Sequence, residues 1–438
     1  MKRAHQFRNG TNYEKAFSWL VFLLFFLASS LNGLLPVFRG DFHYINYKFW
    51  VVSEWLINYQ GGFVRRGLSG QVLWLFEQWT TFDVRVVLTC ICLISSAAML
   101  WVIWRMFKKE GWALLIIPTG FCLGYTLFSL FGRRDYISLL LTLSIFVTFR
   151  HVILHPGKWL GWVLFHGLSA LQLLMHEAAF FYTFPILMLY SYCRSRNDSL
   201  PVLKSAGRVL LQFLPALAVM TAVCLFKGNE RVAHAIWDSW MPIISMYQSD
   251  LQLGYGLVAL TWDPWVAFEG HFTTAFVGDV SPAAWRIVLV LFNFMAAYYL
   301  TTRLNCVHMG PHQSRPMNHV LMSDVMLVQF VALLPMFTIL SCDWGRTLPY
   351  WAISSMFFYH TFKHERVHFL PALSRLSSRL QGGITGSKVL SSPLTYTLIV
   401  LLAPVPTFKA PLDQINTFQQ KFLLIIQDIF NQLATFIA

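Results

Sequence analysis

An all-α, polytopic transmembrane helical bundle is the fold class this 438-residue chain predicts, and three observations predict it. Hydrophobic residues make up 56% of the chain and charged ones only 12%, about half the charged share of an ordinary soluble domain. Apolar runs of about 20 residues recur from end to end, each long enough to cross a ~30 Å hydrocarbon core. These runs lack the short, two-residue alternation of an outer-membrane barrel. Together the three exclude a soluble enzyme, a disulfide-framed secreted domain and a disordered chain.

Read between charges and Pro/Gly breaks, the runs predict spans at 16–38, 84–104, 112–131, 136–150, 159–175, 178–192, 207–226, 286–304, 322–341, 347–362 and 393–408. Residues 411–438 end in an amphipathic helix that is either interfacial or a further span, which gives 11–12 spans in all. The first run is too long for a secretory leader and lacks a small-residue cleavage pattern, so it is read as a span. Segments 47–60 and 67–80 are Trp-rich and amphipathic and are expected to lie in the interface or dip partway into it. The chain thus reads as one membrane domain, 1–438, with an outer segment at 39–83, a long outer loop at 227–285 and a basic cytoplasmic loop at 363–392. The 7 cysteines fall mostly inside apolar runs without Zn-ligand spacing. Cys90 and Cys92, two apart, point to different sides of one helix.

Net charge is +13, a value that suggests nucleic acid until the charges are placed. With the N-terminus (Lys2, Arg3, Arg8, Lys15) in the cytoplasm and each span changing sides, the cytoplasmic segments hold 20 of the 33 Lys and Arg and 5 of the 20 acids. That is the positive-inside pattern. The positive excess is therefore a topology signal, and no nucleic-acid partner is needed to explain it.

The same bias makes the outer arginines conspicuous. Arg65, Arg66, Arg133, Arg134 and Arg346 all fall on the unfavoured side, where each needs acids of the protein or an anionic ligand. The planar, permanently charged guanidinium suits phosphate, and Gly61, Gly62, Gly67 and Gly132 flank the set. Internal salt bridging is the competing reading, since Asp135 adjoins Arg134 and Asp343 lies three residues before Arg346.

His176 and Glu177 sit at the outer end of one span. Such a pair serves as a proton relay or general base, or as a hydrogen-bonded kink that orients two helices. Asp41, with His43, Tyr44, Asn46 and Tyr47 close by, suits sugar recognition, with a solvated loop acid as the plain alternative. The 227–285 loop carries Trp237, Trp240, Trp262 and Trp265 among six acids. Its length and composition suggest a glycan groove, and interfacial anchoring explains part of it. No phosphate loop, dinucleotide fingerprint, H-E-x-x-H or D-x-D motif is found, so neither a cofactor nor a metal is expected.

The order G-D-x-x-x-x-N-Y (40–47), G-R-R-D-Y-I-S (132–138), H-E-A-A-F-F-Y-T-F-P (176–185) and D-W-G-R-T-L-P-Y (343–350) resembles the EpsG-like and Wzy-type polysaccharide (O-antigen) polymerases, glycosyltransferases of the GT-C class. The resemblance implies a metal-independent enzyme of the bacterial inner membrane with a periplasmic active site. It would move a growing glycan from undecaprenyl diphosphate to the non-reducing end of a lipid-linked repeat unit. A flippase and a chain-length regulator would be its protein partners. It places Arg133, Arg134 and Arg346 on the diphosphate; Arg65 and Arg66 come next, on the chemistry of the guanidinium alone. Glu177 with His176 is the favoured base and Asp41 the second. Asp135, Asp343, Trp344, Tyr44 and Tyr47 are expected to contact the saccharide. The G-G-F-V-R-R-G-L-S-G block is not assigned to a pattern of that family.

Two rivals stand beside this expectation. A GT-C enzyme adding one sugar from a polyprenyl-phosphate donor would use the acid of the first outer loop, Asp41, as its base. A transporter of lipid-linked sugars is less favoured: internal repeats are not visible and the charges gather at one face, Asp324 excepted.

Overall fold

A computed structural model of the chain describes residues 50–110, 133–247, 252–272, 291–292, 294–303, 322–338, 340, 344–365 and 371–402. Helix accounts for about 80% of the structure and no strand occurs among the described residues. The helices are α1 (Trp50–Trp55), α2 (Gly67–Trp79), α3 (Val84–Glu110), α4 (Asp135–Leu154), α5 (Trp159–Met175), α6 (Ala179–Asn197), α7 (Val202–Leu225), α8 (Glu230–Ile244), α9 (Tyr255–Val258) and α10 (Pro264–Phe272). They continue with α11 (294–303), α12 (Met322–Ala332), α13 (Leu334–Thr338), α14 (Trp344–Phe362), α15 (Pro371–Gly386) and α16 (Pro393–Leu402).

Among the described residues, three segments are long and apolar enough to cross a membrane: Val84–Met106, Asp135–Leu154 and Val202–Leu225. The apolar runs read at 159–175, 178–192 and 347–362 also fold as helices, α5, α6 and α14. The runs at 16–38 and 112–131 and the segment 411–438 lie outside the described residues.

Helix α4 packs on α3, α5, α6 and α14, while α12 bridges α14 and α6. The apolar core around these helices contains Phe146, Phe149, Phe165, Phe184, Phe213 and Phe358, all fully buried. Polar side chains run through this core and pair across helices. Ser138 and Tyr182 share a hydrogen bond of 2.6 Å. Gln172 Nε2 donates to Thr142 Oγ1 (2.7 Å) and Gln329 Nε2 to Ser354 Oγ (2.7 Å). Between apolar helices such bonds fix register, because an unpaired polar group there has no water to turn to.

A second apolar cluster joins α1, α2, the start of α3, α8 and α9 through Trp55, Leu73, Val84, Trp237, Trp240 and Leu257. The structure corrects four expectations in this region and elsewhere. Residues 52–58 do not present an apolar face outward; all are buried, because α8 and α9 cover them. Segment 227–285 is not a bare loop over its described part: Asn229 Oδ1 caps α8 by accepting from the Val232 N–H at 2.9 Å. The stripe Ala233, Ile236, Trp237, Trp240 and Ile244 then buries one face of that helix. Trp240, fully buried, donates Nε1–H to the Leu56 carbonyl at 2.8 Å, so Trp237 and Trp240 are core residues and not the lining of a glycan groove. The 322–341 run breaks at Leu333 into α12 and α13, where Pro335 supplies no N–H and its ring crowds the preceding turn. The 363–392 segment, read as a loop, contains α15, which packs on α12 and whose Gln381 donates to Ser323 Oγ at 2.7 Å.

Candidate functional site

Four helix starts and one short helix meet at a single place. Arg66 precedes α2, Arg134 and Asp135 open α4, His176 and Glu177 link α5 to α6, and Arg346 lies in the first turn of α14. Glu54 of α1 completes the group. Converging N-termini bring unpaired N–H groups and positive dipole ends together, and the arginines add full charges to that field.

Glu54 sits at the centre and was not singled out from the sequence. It is 1% exposed, accepts from Arg66 Nη1 at 3.0 Å and lies 3.3 Å from Arg134 Nη2. Burial alone would raise its carboxyl; Arg134, Arg66 and Arg346 reverse that and hold it far below the usual range. Arg134 is equally buried. Its Nη1 has three acceptors within reach: Ser69 Oγ (2.9 Å), the Met175 carbonyl (2.9 Å) and the Arg66 carbonyl (3.1 Å). One guanidinium thus ties α4 to α2 and to the end of α5.

Glu177 is gripped by Arg66, whose Nε donates to Oε2 at 2.8 Å and to Oε1 at 2.9 Å, with Nη2 adding a further bond to Oε1. Arg65 Nη1 lies 3.8 Å from the same carboxylate. Burial again pushes the carboxyl up, and Arg66 and Arg65 more than reverse it, leaving it well below its ordinary value. A carboxylate held this way is a poor proton acceptor until Arg66 releases it.

Arg346 donates to Asp135 Oδ1 from Nη2 (2.8 Å) and Nε (3.2 Å). Asp135 is fully buried, and its Oδ2 meets no donor among the described residues. His176 Nδ1 accepts from the Ala178 N–H at 3.2 Å while Nε2 stands 3.3 Å from Arg346 Nη2. A neutral imidazole has one acceptor nitrogen, so only one of these contacts is a true hydrogen bond at a time. Burial first, and then Arg66 and Arg346, pull the ring down to about 3, and it stays neutral at neutral pH.

The G-G-F-V-R-R-G-L-S-G block, which sequence reasoning left unassigned, builds much of this site. Arg66 stands in the left-handed region at φ 64°, a conformation that costs a non-glycine residue about 1–2 kcal/mol, and its ion pairs hold it there. A Cβ on Gly70 would come within 2.1 Å of the Ile57 carbonyl oxygen, so only glycine lets α2 lie against the 55–58 backbone. Gly256 of α9 approaches Glu54 in the same way, its would-be Cβ 2.6 Å from the Glu54 nitrogen. Its N–H also donates to Ser53 Oγ at 2.8 Å. The only sequence signal for Glu54 was a lone carboxylate inside a Trp-rich apolar segment.

The cluster is layered. Glu54, Arg134 and Asp135 form a dry floor, each at most 1% exposed, whereas the side chains of Arg65, Arg66, Glu177 and Arg346 are 28%, 20%, 17% and 13% exposed. A ligand from outside can therefore reach Arg65 and Arg66 more readily than Arg134. Half-buried Arg133 lies directly before Arg134. Asp41, Tyr44, Tyr47 and Asp343 fall outside the described residues, as does the side chain of Trp344. Among the described residues no group of three His, Cys, Asp or Glu could hold a metal ion. At the other end of α4 and α6, Arg150 donates to Glu365 at 2.9 Å and Arg194 lies 3.8 Å from it. The two charge clusters are thus separated by the length of the helices. The chain matches no protein-family model, and neither a curated protein nor a solved structure matches it.

Proposed function

We propose that this chain is a polysaccharide polymerase of the bacterial inner membrane, N-terminus in the cytoplasm and arginine cluster on the periplasmic side. Its reaction transfers a glycan from undecaprenyl diphosphate to a lipid-linked repeat unit, without a metal. The observation that carries this reading is the convergence of Arg65, Arg66 and Arg346, partly exposed, above the buried Arg134–Glu54 pair. The acceptor hydroxyl attacks the anomeric carbon, a new glycosidic bond forms, and the bond to the diphosphate breaks with its electron pair. The departing diphosphate gains one negative charge, which Arg65 and Arg66 neutralise. In taking that anion Arg66 gives up Glu177, and the freed carboxylate, with neutral His176 behind it, receives the hydroxyl proton.

A second reading has one specific observation in its favour. Four arginines in the network (Arg65, Arg66, Arg134, Arg346) face three carboxylates (Glu54, Glu177, Asp135). A surplus of one positive charge suits a monophosphate better than a diphosphate, which favours a single-sugar transferase using a polyprenyl-phosphate donor.

Complementation separates the two. The wild-type gene, returned to a host lacking it, is expected to restore a ladder of polysaccharide lengths. Arg65→Ala and Arg66→Ala should collapse that ladder to one repeat unit. A ladder that keeps its lengths while its bands shift by one sugar refutes the polymerase and selects the transferase; no change in surface glycan refutes both.

A further inference from the structure

Three segments of chain cross beside Arg65 and leave an aromatic shelf that none of the roles above uses. Residues 59–65 form one edge, 226–228 the second and 259–263 the third. The Arg65 N–H donates to the Phe226 carbonyl at 2.9 Å, and Arg65 Nη2 donates to the Ala259 carbonyl at 3.1 Å. Val64 is fully buried, while Phe63 and Arg65 on either side of it open outward. Phe63 stacks on Tyr59 (5.5 Å between ring centres, planes 19° apart) and meets Phe226 edge-on at 5.3 Å. Phe63 is 42% and Phe226 52% exposed. Directly after Phe226 in the chain, Lys227 Nζ lies 3.4 Å from the Asp263 carboxylate, and the Asp263 side chain is 63% exposed.

We propose that Phe63 and Phe226, backed by Tyr59, are a saccharide subsite: they hold the sugar ring directly bonded to the phosphate that Arg65 receives. This inference rests on the reading of Arg65 and Arg66 as the phosphate site and adds the residues that select the sugar. A pyranose has one face of C–H bonds and a rim of hydroxyls. The stacked Phe63 ring covers such a face, with the edge-on Phe226 closing one side. Asp263 accepts from hydroxyls at the rim and Lys227 donates to them. An aromatic patch meant only for a lipid chain has no use for that exposed ion pair at its border. Phe63 and Arg65 are two residues apart, with buried Val64 between them, so the ring and the phosphate site belong to the same short segment.

The test measures binding by the full chain in lipid nanodiscs, using inorganic phosphate and a set of hexose 1-phosphates as probes. At least one hexose 1-phosphate is expected to bind roughly fivefold to tenfold tighter than phosphate, the gain of one aromatic contact. Phe63→Ala should remove that gain and leave the phosphate dissociation constant in place, while Phe63→Trp should keep it. Arg65→Ala should weaken phosphate and sugar phosphate alike. A gain that survives Phe63→Ala overturns the subsite, as does the absence of any gain when phosphate itself binds. An effect of Phe63→Ala on thermal stability alone also overturns it and assigns the shelf to membrane anchoring. Wild-type protein that binds a hexose 1-phosphate through Phe63, yet is indifferent to Arg65→Ala, supports the shelf and sinks the phosphate site instead.

Discussion

Glu54→Ala isolates the buried half of the arginine cluster. The substitution removes the carboxylate that meets Arg66 Nη1 at 3.0 Å and Arg134 Nη2 at 3.3 Å. Arg66 keeps Glu177, but Arg134 is 1% exposed and keeps only neutral acceptors. Breaking a buried pair by deleting one partner costs about 3–5 kcal/mol, most of it the penalty of a charge left without a counterion. Replacing both partners by uncharged groups costs far less. The expected result is a loss of about 3–5 kcal/mol for Glu54→Ala and a double variant, Glu54→Gln with Arg134→Gln, that is less damaging than the two single changes added together. Detergent-induced unfolding of the purified full chain, followed by its helical signal, supplies the four free energies of the cycle. A Glu54→Ala loss under about 1 kcal/mol, or strict additivity, refutes the dry-floor argument. Added salt should leave the coupling nearly unchanged, since a pair without solvent contact is screened little.

Two further expectations concern the second apolar cluster. Glu77 of α2 is 6% exposed and its Oε1 is buried without a hydrogen-bond partner; burial first, and the charge of Asp83 second, raise its carboxyl to about 7. Because the folded state keeps this proton where the unfolded chain has lost it, the Glu77 contribution to stability falls as pH rises from about 4.5 to about 7. Thermal unfolding temperatures across that window should decline less in Glu77→Gln, and an identical profile counts against the assignment. Gly70→Ala puts a methyl group within 2.1 Å of the Ile57 carbonyl oxygen, so α2 must lift off the 55–58 backbone. Correctly folded protein should drop severely in yield, whereas Gly167→Ala, with nothing within 4 Å of the added carbon, should be tolerated. Equal yields of the two would refute the close approach.

Composition and run length alone determined that the chain is helical and apolar, because a run of some 20 apolar residues can satisfy its backbone in lipid only as a helix. Charge bias also grouped 61–67, 131–135, 175–177 and 342–346 on one side. In the structure the described parts of these segments meet, since helix ends on one side of a bundle are the only places where its connections can. What the sequence could not reveal is who pairs with whom. Arg134 and Asp135 are adjacent, yet they face Glu54 and Arg346 respectively, as a helix start sends neighbouring side chains in different directions. Glu54 was invisible as a lone acid in an apolar segment; it became central only when α9, α2 and α4 closed around it. Trp237 and Trp240 misled for the mirror-image reason: the aromatic-acid composition of a binding groove is also that of an amphipathic helix, and only packing against α1 decides between them. Periodicity and bias are local properties of a chain, whereas the identity of a buried ion pair depends on contacts between residues as much as 211 positions apart.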